Sequence, residues 1–440
     1  MRAKMLAFAI VLSMLLVTGC TQSTGHTLSV SAMNSDLNYL LKLLGDVHPA
    51  TASGFTEEQT QIIAEIRESI KEPMTRPEFF FTLNRIVSTL GDSHTQLRYE
   101  QTDLRYHLPL AWLWSGLYVW TDAAELRAGD KITKFGGMEP DVLLDLLVKY
   151  IPAENQYWVK YLGEEFLTQG LYLENLGLLQ QDGTLELVVE RGSDEVRVVI
   201  KPEESISLRR YAPPRRWVGW ELRPEENLGI FHLDMCRPDA EYDEALSSFF
   251  KAVEKEGIQN VVLDLRYNGG GSSAVANRFI QSLDTREYLS FGVHVRSSWR
   301  ARLQRLTAFG AFTSRKAGSL TQNKNHSPVF KGDVYVLTAK GTFSSASMFA
   351  VYLSDNDLAT VVGEPMGGAA SAYGDMLRFE LKQSGFGVSV SYKQFTRPNS
   401  ERSPANTLHP DVFVETTIED ILNGRDAQLE KVIELIRERS

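Results

Sequence analysis

Residues Val261-Val-Leu-Asp-Leu-Arg-Tyr-Asn-Gly-Gly-Gly271 decide the fold. The run Val261–Leu265 is short, apolar apart from Asp264, and bounded by a polar turn, which reads as a buried strand. Arg266 and Asn268 follow, and then three consecutive glycines. Glycines add nothing to a core; they let the backbone take positive φ and approach another group closely. A buried strand feeding such a turn can aim backbone N–H groups at one point, which suits an anion or an oxyanion. Two other readings stay open from these residues alone. One is a plain tight connection. The other is a dinucleotide turn, since Gly269-x-Gly271-x-x-Ala274 fits G-x-G-x-x-A. The polar Arg-Tyr-Asn segment and the mid-chain position argue against a nucleotide.

Working outward, Val336–Met348 has the same shape: a strand, then Lys340-Gly-Thr-Phe-Ser-Ser345, then a helix. A serine at a helix start sits at the positive end of the dipole, beside N–H groups with no helical partner. Around these two stretches, segments at Leu228–Leu233, Tyr242–Lys255, Ala274–Leu283, Asp333–Leu337 and Ala359–Val362 alternate strand and helix periodicities. They predict an α/β core over residues 206–440. Upstream, Leu37, Leu40, Leu41 and Leu44 keep helical spacing up to Gly45, and Thr56-Glu-Glu-Gln59 and Thr75-Arg-Pro-Glu78 read as capping boxes. Residues 29–106 are therefore expected to be an N-terminal helical region. Residues 107–205 change to short apolar segments, among them Gly116-Leu-Tyr-Val119, and close on a hairpin at Leu185–Glu190 and Val196–Ile200.

The first 19 residues carry Arg2 and Lys4 ahead of an apolar run from Met5 to Val17, too short to span a membrane but right for an export signal. Val17-Thr-Gly-Cys20 resembles a bacterial lipobox, which makes Cys20 the expected lipidated N-terminus and residues 20–28 a tether. The expected location is the bacterial cell envelope, on the exported side of a membrane. Besides Cys20 only Cys236 is present, so no internal disulfide can form. The 8 histidines are scattered without HExxH or a Cys/His cluster, so no metal and no cofactor are expected. Losing Arg2 and Lys4 takes the net charge from −10 to −12, unsuited to nucleic acid.

The glycine turn, Ser344-Ser-Ala-Ser-Met348, Val362-Gly-Glu-Pro365, His409-Pro-Asp-Val412 and Gly91-Asp-Ser-His-Thr95 occur in the order found in one family. From about residue 35 onward the chain resembles the C-terminal-processing, or tail-specific, serine peptidases and their tricorn-core relatives. The resemblance implies a crotonase/ClpP-like α/β core, an N-terminal helical region and an inserted PDZ-like domain over residues 107–205. It implies a nucleophile at Ser345 and an oxyanion hole from the amides of Gly270, Gly271 and Ala346. The lysine that the Ser/Lys branch carries after its Gly-Glu-Pro motif is absent; Ala369 stands there. Without that lysine Ser345 needs another base. The tricorn-like branch supplies one, with His94 as base, Ser93 orienting it and Glu401 as a distant support. Lys340 is the other conceivable base, while Asp264 and Arg266 read as a structural pair. The reading is an exported serine peptidase acting on polypeptides. A non-catalytic peptide-binding lipoprotein of the same fold, or a serine hydrolase of a non-peptide ester or amide, are the alternatives. The oligomeric state is not legible.

Overall fold

The computed structural model describes residues 27–99, 104–203, 210–212, 214–305, 312–402 and 404–439. The export signal, Cys20 and most of the tether lie outside them. A six-stranded sheet forms the centre, in the order Val218–Arg223, Leu228–Leu233, Asn260–Asp264, Asp333–Thr338, Thr360–Gly363 and Val412–Phe413. The first pair is antiparallel and every later pair is parallel.

Burial on both faces explains the apolar run Val261–Leu265: all five residues of Asn260–Asp264 are buried. Val261 and Leu263 point to one side, where helices Ala240–Glu256, Ala274–Ile280 and Ser345–Asp355 pack through Phe249, Phe279 and Phe349. Val262 points to the other, against Leu429, Val432 and Ile433 of helix Ala427–Arg439. Strands Asn260–Asp264 and Asp333–Thr338 are parallel neighbours, with Asp264 opposite Leu337. The turns leaving their carboxyl ends, one glycine-rich and one serine-rich, therefore emerge side by side. That adjacency creates the site.

Three helices precede this core: Val30–Val47, Glu57–Ser69 and Arg76–Ser88. The last two start on reciprocal capping boxes at Thr56 and Thr75. The first runs through Gly45 and ends two residues later, where Pro49 forces His48 into an extended conformation (φ −75°, ψ 131°). A five-stranded antiparallel sheet follows, in the order Leu110–Leu113, Gly116–Val119, Lys131–Phe135, Leu185–Arg191 and Asp194–Ile200. Helices Pro140–Val148, Gln156–Phe166 and Gly170–Asn175 are inserted between its third and fourth strands. A long hairpin, Ala372–Glu380 with Gly387–Thr396, pairs with Gln96–Arg98 and so fixes the strand that follows His94.

Candidate active site

The glycine turn is built around Asn268, which is fully buried. Its amide donates to Leu233 O at 2.8 Å, its Oδ1 accepts the Gly270 N–H at 2.8 Å, and its carbonyl accepts the Phe343 N–H at 3.0 Å. One residue thus fastens the glycine turn, through its side chain, to the serine turn, through its backbone carbonyl. Asn268 was in the quoted motif, but nothing in the sequence marked it as the anchor. The free thiol of Cys236 lies beside it, and burial pushes this thiol up to about 12, so it stays protonated.

Gly270 and Gly271 hold φ of +102° and +138°. A Cβ on Gly270 would lie 2.7 Å from Ser344 Cβ, and one on Gly271 would lie 2.3 Å from Cys236 O. Only glycine fits at either position.

The serine turn places Ser344, one residue before the serine singled out from the sequence, against the imidazole of His94. Ser344 has φ 54° and ψ −122°, a strained conformation for a non-glycine residue, and its side chain does not cap the helix behind it. Its Oγ lies 3.0 Å from His94 Nε2, across 250 residues of sequence. Ser345 is instead buried, with its hydroxyl donating to Gly271 O at 2.8 Å. The motif Ser344-Ser345 offered two adjacent hydroxyls; only the backbone twist at the strand-to-helix junction decides which one faces the imidazole.

The amides rearrange in the same sense. Gly270 N–H is spent on Asn268 and Ala346 N–H on Phe343 O at 3.1 Å. Among the described residues, the N–H groups of Gly271 and Ser345 have no hydrogen-bond partner; Ser345 follows Ser344 in the chain, and Gly271 meets the Ser345 hydroxyl.

His94 lies on the turn after helix Arg76–Ser88 and stacks on Phe343 at 5.0 Å between ring centres. Phe343 stacks on Trp158 at 3.9 Å, from helix Gln156–Phe166 of the insertion. The Nδ1 edge of the imidazole faces Asp92 Oδ1 at 3.5 Å and Glu154 Oε1 at 3.9 Å. Burial lowers the imidazole's proton affinity, but Asp92, with Glu154 and Asp375, outweighs it, and the pKa of His94 is raised. Burial pushes Glu154 up to about 8. Asp92, equally buried, is held low by hydrogen bonds from His48 and His94. The three donor atoms lie within 4.8 Å of one another, close enough for a small cation as well as a shared proton.

Other sequence expectations land elsewhere. Ser93 puts its amide, not its hydroxyl, toward Glu154 Oε1, at 3.4 Å. Glu401 is exposed on a loop where its own N–H bonds to Asn399 Oδ1, and it makes no contact with His94 among those described. Its place beside the imidazole is taken by Asp92 and Glu154, which the sequence did not single out. Lys340 points away, to Glu164 Oε1 at 2.5 Å and to Trp112 O. Ala369 is buried behind the serine turn, where Gly368 N–H meets Thr342 O at 3.0 Å. Asp264 and Arg266 do pair, at 2.9 Å, and Arg266 reaches on to Asp426 at 2.7 Å. Gly116–Val119 is an inner strand, paired on both sides, so it has no free edge for a peptide.

Residues 227–414 match the family described as Peptidase family S41. A carboxyl-terminal-processing protease of Synechocystis is 25% identical over 220 residues, which are 49% of this chain and 45% of that protein. The chain therefore spans under half the length of that curated relative. Mature CPAF complexed with lactacystin superposes with a TM-score of 0.70 at 17% identity, over 93% of this chain and 98% of that one. Mature CPAF without the compound gives 0.68 at 16% identity, over 93% and 97%. At such identities the likeness is one of fold.

Proposed function

Because this chain belongs to the C-terminal-processing peptidases of family S41, we propose that it is a serine peptidase cleaving polypeptides by acyl transfer, with Ser344 as nucleophile and His94 as general base. The observation that carries this reading is the 3.0 Å approach of His94 Nε2 to the hydroxyl of a strained, partly exposed serine. His94 takes the Ser344 proton as Oγ attacks the scissile carbonyl, then returns it to the leaving amine. The N–H groups of Gly271 and Ser345 receive the negative charge that develops on the carbonyl oxygen. Water then releases the acyl group by the same route. A non-catalytic peptide binder would have no use for the strain at Ser344.

A fluorophosphonate probe should label the protein at Ser344 and fail on Ser344→Ala, which should also lose turnover by a factor on the order of 10⁶. Ser345→Ala removes a supporting hydrogen bond, an effect of about 1 kcal/mol, and should keep labelling. The reverse pattern returns the nucleophile to Ser345.

The N-terminal stretch supports export and lipidation at Cys20, placing the enzyme on the outer side of an envelope membrane. One acyl chain holds a membrane only marginally, so anchoring implies more than one. Mass spectrometry of the mature N-terminal peptide tests this; an unmodified Cys20 leaves a soluble secreted enzyme. The PDZ-like role of residues 107–205, holding an extended substrate, fits strand addition at a sheet edge. Asp194–Ile200 is the more open edge of this sheet, because on Leu110–Leu113 the Trp112 N–H and O are taken by Glu164 and Lys340.

A further inference from the structure

We propose that Asp92, clamped by the buried His48, is the carboxylate that positions His94, so that the site is a Ser344–His94–Asp92 line with a second histidine behind it. The proposal rests on the peptidase reading above and adds to it the residues that set the tautomer of the base.

His48 is fully buried at the end of the first helix. Its Nδ1 accepts the Ala50 N–H at 3.1 Å, so its proton is on Nε2, which donates to Asp92 Oδ2 at 3.1 Å. Thr95 Oγ1 donates to the same oxygen at 2.6 Å, and is itself held by the Ser391 N–H at 3.0 Å from the long hairpin. The other oxygen, Oδ1, accepts the His94 N–H at 3.0 Å and faces His94 Nδ1 at 3.5 Å. Asp92 is thus fully buried yet bonded from three sides, which keeps it ionised and fixed.

For Ser344 to give its proton to Nε2, His94 must carry its own proton on Nδ1. That N–H has two carboxyl groups before it. Asp92 is nearer and ionised. Glu154 is farther, at 3.9 Å, and protonated below about 8. The remaining charged neighbour, Asp375, is spent on Lys393 at 2.6 Å, and Tyr373 packs on His48 at 4.6 Å. Asp92 is therefore the group that holds Nδ1–H and favours the imidazolium formed during the reaction.

The test compares kcat, KM and the acidic limb of the pH profile in full-length variants. Wild type should show a limb above the usual histidine value of about 6.5. Asp92→Asn presents an amide that favours the wrong tautomer; kcat should fall on the order of 10³–10⁴-fold with KM little changed, and the residual limb should move to lower pH. His48→Leu removes a donor from Asp92, making the carboxylate more basic; kcat should fall about tenfold or more and the limb should move to higher pH. His48→Gln, which can donate to Asp92 again, should recover most of both. Glu154→Gln removes a smaller contribution and should move the limb less than Asp92→Asn does.

A limb that moves in Glu154→Gln and stays in Asp92→Asn would overturn the proposal and name Glu154 as the partner. Equal losses in His48→Leu and His48→Gln with no change in the limb would reduce His48 to packing. If Asp92→Asn does not fold, the His48 pair decides alone. Failure of the probe to label the wild-type protein at all would instead sink the peptidase assignment, whatever the Asp92 variants do.

Discussion

At the scale of the residue, the site depends on where carbon atoms are missing. Gly270 lets the glycine turn lie flat on Ser344; an added Cβ would be 2.7 Å from Ser344 Cβ, 2.9 Å from Phe343 O and 3.1 Å from Ser345 N. Two of these are backbone atoms and the third is a Cβ bonded directly to the backbone, so none can step aside, and φ of +102° adds strain for any other residue. Gly270→Ala should therefore displace Ser344 from His94 and disturb the amides behind it. We expect kcat/KM to fall by about 10²–10³, the scale of losing one oxyanion donor, while circular dichroism shows the fold retained. Unchanged kinetics would mean the turn does not touch the chemistry. Serine 344 itself could not be chosen over Ser345 from sequence, because both follow the same strand and precede the same helix. The choice is made by one pair of backbone dihedrals.

At the scale of the element, the insertion is joined to the catalytic turn by two links. The stack His94–Phe343–Trp158 crosses from the N-terminal region through the serine turn to helix Gln156–Phe166. Lys340, four residues before Ser344, reaches Glu164 on that same helix and the carbonyl of Trp112 on the edge strand. Both ionic partners are largely buried, Glu164 with 7% of its side chain exposed and Lys340 with 19%. Lys340→Met leaves Glu164 with only Arg210, at 3.9 Å, and should cost about 3 kcal/mol, read as a lowered urea midpoint. Below that midpoint, probe labelling at Ser344 should persist. Loss of labelling in a folded Lys340→Met would revive a lysine base. Trp158→Ala removes an aromatic face from Phe343 and should lower kcat more than it raises KM, because it loosens the base and not a substrate contact. Glu154 brings the insertion to 3.9 Å from the imidazole, and Trp158 stacks on the Phe343 that the imidazole rests on.

At the scale of the whole molecule, the buried cluster makes stability depend on pH. Glu154 has its folded pKa raised to about 8 from an ordinary value of 4.5. Between those values the unfolded chain has released this proton while the folded chain keeps it, so the Glu154 contribution to stability falls as pH rises and levels off above about 8. Glu154→Gln carries no such proton. Its thermal midpoint relative to wild type should rise from pH 5 to pH 8 and then stay constant, measured by calorimetry across that range. A difference that shrinks with pH would show that Glu154 is ionised and paired in the folded protein.

The sequence by itself determined the α/β core and both turns, because a strand buried on two faces must be continuously apolar and a turn with positive φ must use glycine. The order of its short motifs also carried the resemblance to the C-terminal-processing peptidases, and His94 could be named from it as the candidate base. Tertiary structure decided what no local pattern encodes. Parallel pairing of Asn260–Asp264 with Asp333–Thr338 brought the two turns together. The dihedrals of Ser344 selected it over Ser345, since which of two neighbouring hydroxyls faces a base depends on backbone direction and not on residue type. The partners of His94 came from Asp92 and from Glu154 across the insertion, in place of Glu401. Such a carboxylate is recognised by its distance to a ring nitrogen in a buried pocket, a quantity that exists only once the chain has folded.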